Sequence, residues 1–236
     1  MNTGNRTAAI ILAAGIGSRM KMAMTKQKYE ILGKSVLRRS VEAFEDSPEV
    51  DTVVVVTRED ELEFAMNECS RFTKVKGFVL GGSSRAQSAK NGFESIKENA
   101  DYVMIHDAAR CLITCNEVTL VARAAYEYGA ATASCPVTDS VKTTNGRFIE
   151  ADVPRDTLRT VQTPQAFSTS LYQSALDAVQ ELDKSITDDN SLVARVGASV
   201  YFVDTEKYNI KITTPEDVRI AEFILAGRET ELSKGE

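Results

Sequence analysis

The chain of 236 residues contains a single histidine, His106, four cysteines and five prolines, and only 7% of its residues are aromatic. One histidine rules out zinc chemistry of the HExxH type, which needs two. The cysteines are scattered. Cys111 and Cys115 form a C-x3-C pair, but no second ligand pair accompanies them, so the four thiols read as free and buried or partly buried. No metal or disulfide staple is required, because a chain of this length buries about 70–75% of its unfolded surface. GxSxG is absent, which disfavours a nucleophile-elbow hydrolase. Long hydrophobic runs are missing as well. The apolar stretch from Ala8 to Ala14 is too short to cross a bilayer, and glycines and an arginine follow where a signal peptide would have its cleavage site. A cytoplasmic protein with reduced thiols is expected. Positive charge is in deficit, 28 Lys+Arg against 34 Asp+Glu for a net −6 and a pI near 5.1. That balance argues against nucleic acid or an anionic membrane as partner. With no internal repeat and no Pro/Ser-rich linker, residues 1–236 read as one domain.

What the chain does have is alternation. Short β-branched runs at Ala8–Leu12, Thr52–Thr57, Val75–Leu80, Tyr102–His106 and Ala131–Pro136 read as buried strands. Between them lie segments of helical period: Ser35–Phe44, with Val36, Leu37, Val41 and Phe44 on one face, Leu62–Phe72, a helix capped by Ser83 or Ser84, and Glu117–Tyr128. The pattern predicts an α/β fold, a mostly parallel Rossmann-like sheet with helices on both faces. The segment Asp139–Thr160 then breaks it, being polar and centred on Asn145-Gly146, the strongest short hairpin signal. A hairpin without its own core is marginal alone, so residues 138–160 read as a protruding arm covered by something else. After it the sequence predicts a helix near Thr169–Leu182, a polar loop at Thr187-Asp188-Asp189 and strands at Ser199–Val203 and Asn209–Ile212. A last helix starts at Thr214-Pro215-Glu216-Asp217 and runs to about Ala226.

The sharpest local feature is a charge anomaly. Residues 1–29 hold Arg6, Arg19, Lys21, Lys26 and Lys28 and no acid, in a chain that is acidic overall. Most of these cations follow the first strand and its small-residue turn Ala13-Ala14-Gly15-Ile16-Gly17. In open α/β sheets the ligand crevice lies at the carboxyl ends of the strands. Backbone donors there, backed by fixed cations, make a polyphosphate site. Two familiar phosphate loops do not fit: Lys28 stands where a P-loop ending in Gly33-Lys34-Ser35 needs glycine, and Met20 where the dinucleotide loop needs its third. Two more strand ends agree with the anion reading, Gly81-Gly82-Ser83-Ser84-Arg85 and His106-Asp107-Ala108-Ala109-Arg110.

These residues resemble the signature of sugar nucleotidyltransferases, in Ala13-Ala14-Gly15-x-Gly17-x-Arg19-Met20 followed by Lys26-Gln27. The ordered set is wider. Gly81-Gly82-x-x-Arg85-x-x-Ser88, His106 to Arg110, Asp139-Ser140-Val141-Lys142, Thr163-Pro164-Gln165, Thr187-Asp188-Asp189 and Asn209 to Thr213 are similar to the 2-C-methyl-D-erythritol 4-phosphate cytidylyltransferase family over roughly residues 8–225. Ribitol-5-phosphate cytidylyltransferases share most of these motifs.

The resemblance implies a nucleotidyltransferase-type fold and one reaction: a phosphomonoester oxygen attacks the α-phosphorus of CTP and displaces pyrophosphate. Joining two anions calls for positioning and charge neutralisation more than for acid–base chemistry. By resemblance, Arg19 and Lys26 contact the triphosphate, and Arg155 on the arm and Lys211 orient the attacking phosphate. Ala13, Ala14, Gly15 and Gly17 would hold the nucleotide by backbone, Gly82, Ser83 and Ser88 the base, and Asp107 and Ala108 the ribose. Arg110, Ser140, Thr163 and Thr187 would meet the polyol phosphate. Magnesium is implied as an ion held mainly by the CTP phosphates, and a homodimer in which the arms embrace, with Arg155 and Thr187 acting across the interface. Four positions depart from the usual family pattern. Thr25 and Cys111 stand for prolines, Ser140 for a threonine, and Ser83 where an acidic side chain often reads the cytosine amino group. None removes a cation, and the joint presence of Arg19, Lys26, Arg155 and Lys211 argues against a non-catalytic nucleotide-binding module.

Overall fold

A computed structural model describes residues 4–15, 25–182 and 185–232, and its centre is a seven-stranded sheet. β1 (Thr7–Leu12) is buried along its whole length, as a strand covered on both faces must be. A two-residue hairpin, β2 (Glu30–Ile31) and β3 (Lys34–Ser35), leads into α1 (Val36–Glu45), which Ser35 caps by accepting from the Arg38 amide. There follow β4 (Thr52–Thr57), α2 (Leu62–Cys69), β5 (Val75–Leu80), α3 (Arg85–Glu94), β6 (Tyr102–Asp107) and α4 (Cys115–Tyr128). Next come β7 (Ala130–Pro136), the hairpin β8 (Val141–Asn145) and β9 (Phe148–Val153), and β10 (Arg159–Ser168). α5 (Thr169–Asp177), α6 (Asp189–Val193), β11 (Tyr201–Asp204) and α7 (Pro215–Leu232) complete the described chain.

The sheet order is β11-β7-β10-β6-β1-β4-β5. Every neighbouring pair is parallel except the two made by β10, which runs antiparallel between β6 and β7. Side-chain alternation splits the core into two layers. Ile11, Val53, Val55 and Met104 pack with Leu37, Val41 and Phe44 of α1 and Val118 and Val121 of α4. Ile10, Val54, Val56 and Ile105 face the other way, onto Phe93 of α3 and Tyr172 of α5. A third cluster seats α7 through Val218 and Ala221 on Ile31, Val36 and Leu112. The α/β reading with its parallel strands and helices on both faces is therefore what the chain adopts. No helix among the described residues is long and apolar enough to cross a membrane.

Two expectations change. The central strand β10 carries no strand signal in the sequence, because Gln162, Thr163, Pro164 and Gln165 interrupt its apolar pattern, and its register shifts between Val161 and Gln165. Arg159 and Thr160 thus belong to the main sheet, opposite Pro136 and Cys135, not to the arm. Asn209–Ile212 is not a strand. It is an irregular segment tied down by the Ile212 amide on Ala109 O at 2.8 Å, while Asn209 gives its amide donors to Gln162 and Thr163. Helix ends also differ, with α5 stopping at Asp177 and α7 continuing past Ala226. The hairpin forms at Asn145-Gly146 with Gly146 at φ 60°, and it exposes Phe148 (80%) and Ile149 (71%). Of the four thiols, Cys69 and Cys111 are buried, which pushes both up to about 12, Cys135 is half-buried and Cys115 is exposed.

The β2–β3 turn stores strain. Its two residues, Leu32 and Gly33, have φ of 46° and 72°, a turn that suits Asn-Gly and costs an ordinary L-residue roughly 1–2 kcal/mol. Leu32 is exposed, so little burial is lost on replacing it. Leu32→Asn is expected to stabilise the protein by about 1 kcal/mol and raise the thermal midpoint by ~2–4 °C, measured by calorimetry.

Candidate active site

The carboxyl ends of β1, β4, β5 and β6 converge, and a cavity of about 400 Å³ opens over them. Its wall includes Ala14 and Gly15 after β1, Lys26 and Gln27, Gly82 to Arg85 and Ser88 after β5, Asp107 at the end of β6, and Lys211. The loops that make it are interlocked. The Gly81 amide bonds Thr57 O at 2.8 Å, and a Cβ at Gly81 would run into Ala14 Cβ and press on Ser88 Oγ. Only glycine allows the two loops to approach so closely. Ser88 Oγ accepts from the Gly82 amide at 3.0 Å and donates to Ser84 O at 2.8 Å, fixing the turn into α3, which Ser84 caps.

A second cavity, of about 260 Å³, adjoins the first and is lined by Arg110, Thr163, Gln165, Thr187 and Asp188 together with Arg85, Asp107 and Lys211. The two cavities share those last three residues, which form one ionic cluster. Arg85 Nε donates to Asp107 Oδ1 at 2.9 Å and its Nη1 to Asp189 Oδ2 at 2.7 Å. Lys211 Nζ reaches Asp107 Oδ2 at 2.6 Å, and Tyr172 OH donates to Asp189 Oδ1 at 2.8 Å. Burial alone would push the Asp107 carboxyl up, but Arg85 and Lys211 overcome it and hold the group well below the usual carboxylate range. Arg85 shows the mirror image: burial works against its charge, and Asp189 and Asp107 raise it.

Further hydrogen bonds hold these groups in place. Thr163 Oγ1 accepts from the Asp107 amide at 3.1 Å and pairs with His106 Nδ1 at 3.0 Å. Gln165 Oε1 accepts from the amides of Asp189 and Asn190 at 3.0 and 3.2 Å, while its Nε2 donates to Asp188 Oδ2 at 2.9 Å. Arg110 Nη1 donates to Asn209 O at 2.8 Å. His106 is fully buried against Phe44, with ring centroids 5.0 Å apart. Burial, with help from Arg110 and against the pull of Asp107, takes its imidazole down to about 3.

Most of the sequence-expected residues meet here: Ala14, Gly15, Lys26, Gly82, Ser83, Ser88, Asp107 and Lys211 in the first cavity, and Arg110, Thr163 and Thr187 in the second. Ala13 and Ala108 lie behind the wall, with their amides donating to Val56 O and Leu12 O within the sheet. Neither therefore offers a ligand its N–H. Arg155 and Ser140 line neither cavity. Both are exposed on the arm, where Arg155 Nη1 donates to Thr138 O at 3.0 Å. Gly17 and Arg19 lie outside the described residues. Residues the sequence reading left without a role are Arg85, Asp189, Gln165 and Gln27. Arg85 had a signal: a cation in the first turn of a helix opposes the helix dipole and needs carboxylates to hold it. No group of three or more His, Cys, Asp or Glu side chains among the described residues is placed to hold a metal.

Residues 7–227 match the family model of 2-C-methyl-D-erythritol 4-phosphate cytidylyltransferase. A relative of that name in Geobacillus kaustophilus is 38% identical over 94% of this chain and 98% of its own. Another, in Rubrobacter xylanophilus, is 39% identical over 94% and 95%. Among solved structures, the 4-diphosphocytidyl-2C-methyl-D-erythritol synthase of Anaerococcus prevotii superposes with a TM-score of 0.82 at 25% identity, covering 94% of this chain and 99% of that one. The cytidylyltransferase of Thermus thermophilus gives 0.73 at 28%, over 93% and 98%.

The His106 shift has a thermodynamic consequence. Its folded value lies below the ordinary 6.5, so its contribution to stability is full above about pH 6.5 and declines as pH falls toward 3. In that window the unfolded chain binds one proton more at this site, worth ~1.4 kcal/mol per pH unit. Denaturant titrations from pH 7 to 4 should show His106→Asn losing stability less steeply than the parent by about that slope. Parallel curves would contradict the buried neutral imidazole.

Proposed function

This chain belongs to the 2-C-methyl-D-erythritol 4-phosphate cytidylyltransferase family, and we propose that the two adjoining cavities divide the substrates of that reaction between them. The enzyme is a CTP-dependent nucleotidyltransferase of isoprenoid biosynthesis: it transfers the cytidylyl group of CTP to 2-C-methyl-D-erythritol 4-phosphate and releases pyrophosphate. In this reading the larger cavity takes CTP, with Gly82, Ser83 and Ser88 at the base, Asp107 at the ribose and Lys26 at the phosphates. The smaller takes the polyol phosphate on Arg110, Thr163 and Thr187. The observation that carries it is the shared wall, because Lys211 lines both cavities and can therefore serve the attacking phosphate and the attacked one together.

The attacking group is already an anion at neutral pH, so no side chain has to remove its proton. What the protein supplies is alignment and charge. The Lys26 ammonium would stabilise the negative charge that builds at the α-phosphorus, and Arg19 belongs to the same reading. Displaced pyrophosphate leaves toward the cations of the same loop. Magnesium enters as an ion carried on the triphosphate, where it would neutralise phosphate charge. Among the described residues Asp107 is the one carboxylate on the larger cavity's wall, and Arg85 and Lys211 engage both its oxygens. No protein cage is therefore assigned to the ion, and no step is routed through one.

The arm belongs to a homodimer in this reading. Exposed Phe148 and Ile149 need cover, a hairpin of two strands is marginal alone, and Arg155 lies at its base. Each protomer would bring its Arg155 to the substrate cavity of its partner, beside Thr187. Light scattering should give the mass of two chains, and a monomer at assay concentration would sink this arrangement. The cytoplasm suits the free thiols and is the compartment we assign.

A pyrophosphate-release panel crossing the four nucleoside triphosphates with 2-C-methyl-D-erythritol 4-phosphate and ribitol 5-phosphate tests the reading. Release is expected with CTP and the methylerythritol phosphate. Lys26→Ala should lower kcat/KM by ~10²–10³-fold, as loss of a transition-state charge contact does, with little change in thermal midpoint. Unchanged turnover would refute its role.

A further inference from the structure

Lys26 sits in a single 3-10 turn, Lys26–Lys28, and both flanks of that turn are tied to one buried side chain. Glu61, 3% exposed, lies on the connection between β4 and α2. Its Oε1 accepts a hydrogen bond from Thr25 Oγ1 and lies 3.8 Å from Lys28 Nζ. Lys28 also rests over the Phe64 ring of α2, 5.3 Å from its centroid. Gln27, itself buried, donates to Gly15 O at 3.2 Å. Residues on either side of Lys26 are thus fastened, and Lys26 lines the cavity.

We infer that Glu61 is a positioning residue, which acts on the reaction by holding the turn that presents Lys26 to the nucleotide phosphates. The inference rests on the role proposed for Lys26. Its physical basis is where Glu61 is anchored. The Glu61 amide bonds Arg58 O at 3.1 Å, one residue beyond β4, so the carboxylate is anchored beside an inner strand of the sheet and passes that anchoring to the turn. A single acceptor with two tethers fixes both the start and the end of the turn, and a flexible lysine stem needs a fixed base if its ammonium is to meet a particular phosphate oxygen. The backbone at Thr25, φ −73° and ψ 152°, is also one that proline adopts without strain. In this chain the hydroxyl–carboxylate bond does the stiffening that a proline ring at position 25 would do.

The test is steady-state kinetics on the full chain with CTP varied, each variant first checked for an intact thermal transition. Glu61→Ala should lower kcat/KM for CTP about tenfold, and Thr25→Val, which removes only one tether, about threefold, since sub-ångström misplacement of a charge costs rate steeply. On a Lys26→Ala background the Glu61→Ala loss should shrink to less than about twofold, because pairs that act as a unit are not additive. Adding Thr25→Pro to Glu61→Ala should recover at least about half of the loss by restoring stiffness through φ. The inference falls if Glu61→Ala and Thr25→Val keep full activity. It falls as well if the loss is equally large without Lys26, or if proline recovers nothing. Loss of activity in Lys26→Ala but in neither Glu61→Ala nor Thr25→Val would sink this inference and leave the functional reading standing. A fully active Lys26→Ala would sink both. Should Glu61→Ala fail to fold, Thr25→Val decides.

Discussion

The site is organised around a guanidinium held between two carboxylates. Arg85 comes from the start of α3, Asp107 from the end of β6 and Asp189 from the start of α6. Lys211, on the irregular segment before α7, closes the cluster on Asp107. Two cations and two anions make it neutral, which is how four charged groups tolerate partial burial. Removing one leaves an uncompensated charge, at a cost on the order of 3–5 kcal/mol. The same constraint explains the neutral shell around it, since Thr163, Gln165 and Tyr172 supply the hydrogen bonds that the carboxylates and their backbone still require.

The cluster also leaves little free charge on Arg85, so in the proposed reading Lys211 has to be joined by cations from outside it. Arg85 is spent on Asp107 and Asp189, so it contributes shape rather than free charge. Lys26 lines the larger cavity from the turn before β2, and Arg110 lines the smaller from the loop after β6. In an acidic protein, gathering lysines and arginines at one end of the sheet creates a local field opposite in sign to the net charge, which draws anionic ligands to that end.

Parts of this were legible in the amino-acid order, for identifiable reasons. β1 and β4 are short apolar runs rich in β-branched residues, and β6 carries Val103-Met104-Ile105 at its centre; runs of that kind have few alternatives to a doubly covered strand. The glycine and alanine turns at 13–15 and 81–82 were legible as places of close approach because only small residues permit it, and there the two loops do meet. β10 was illegible because its inner positions are Gln162, Thr163 and Gln165, chosen for hydrogen bonds to the site and not for packing. A strand whose side chains serve chemistry loses the hydrophobic signature of a strand. Asn209–Ile212 misled in the opposite way: its apolar alternation is real, but Ile212 is buried beneath α7 and not within the sheet. Arg155 shows another boundary, since the family resemblance named it as a site residue while the fold of one chain leaves it on the arm.

The route of β10 has a last consequence. β7 and β10 are antiparallel neighbours that begin pairing at Pro136 and Arg159, so everything between those two residues is an elaborated hairpin tip hung from a closed pair of strands. Its length and sequence are decoupled from the register of the sheet beneath. Evolution or a protein engineer is free to extend, trim or exchange that tip while the floor beneath the two cavities stays as it is.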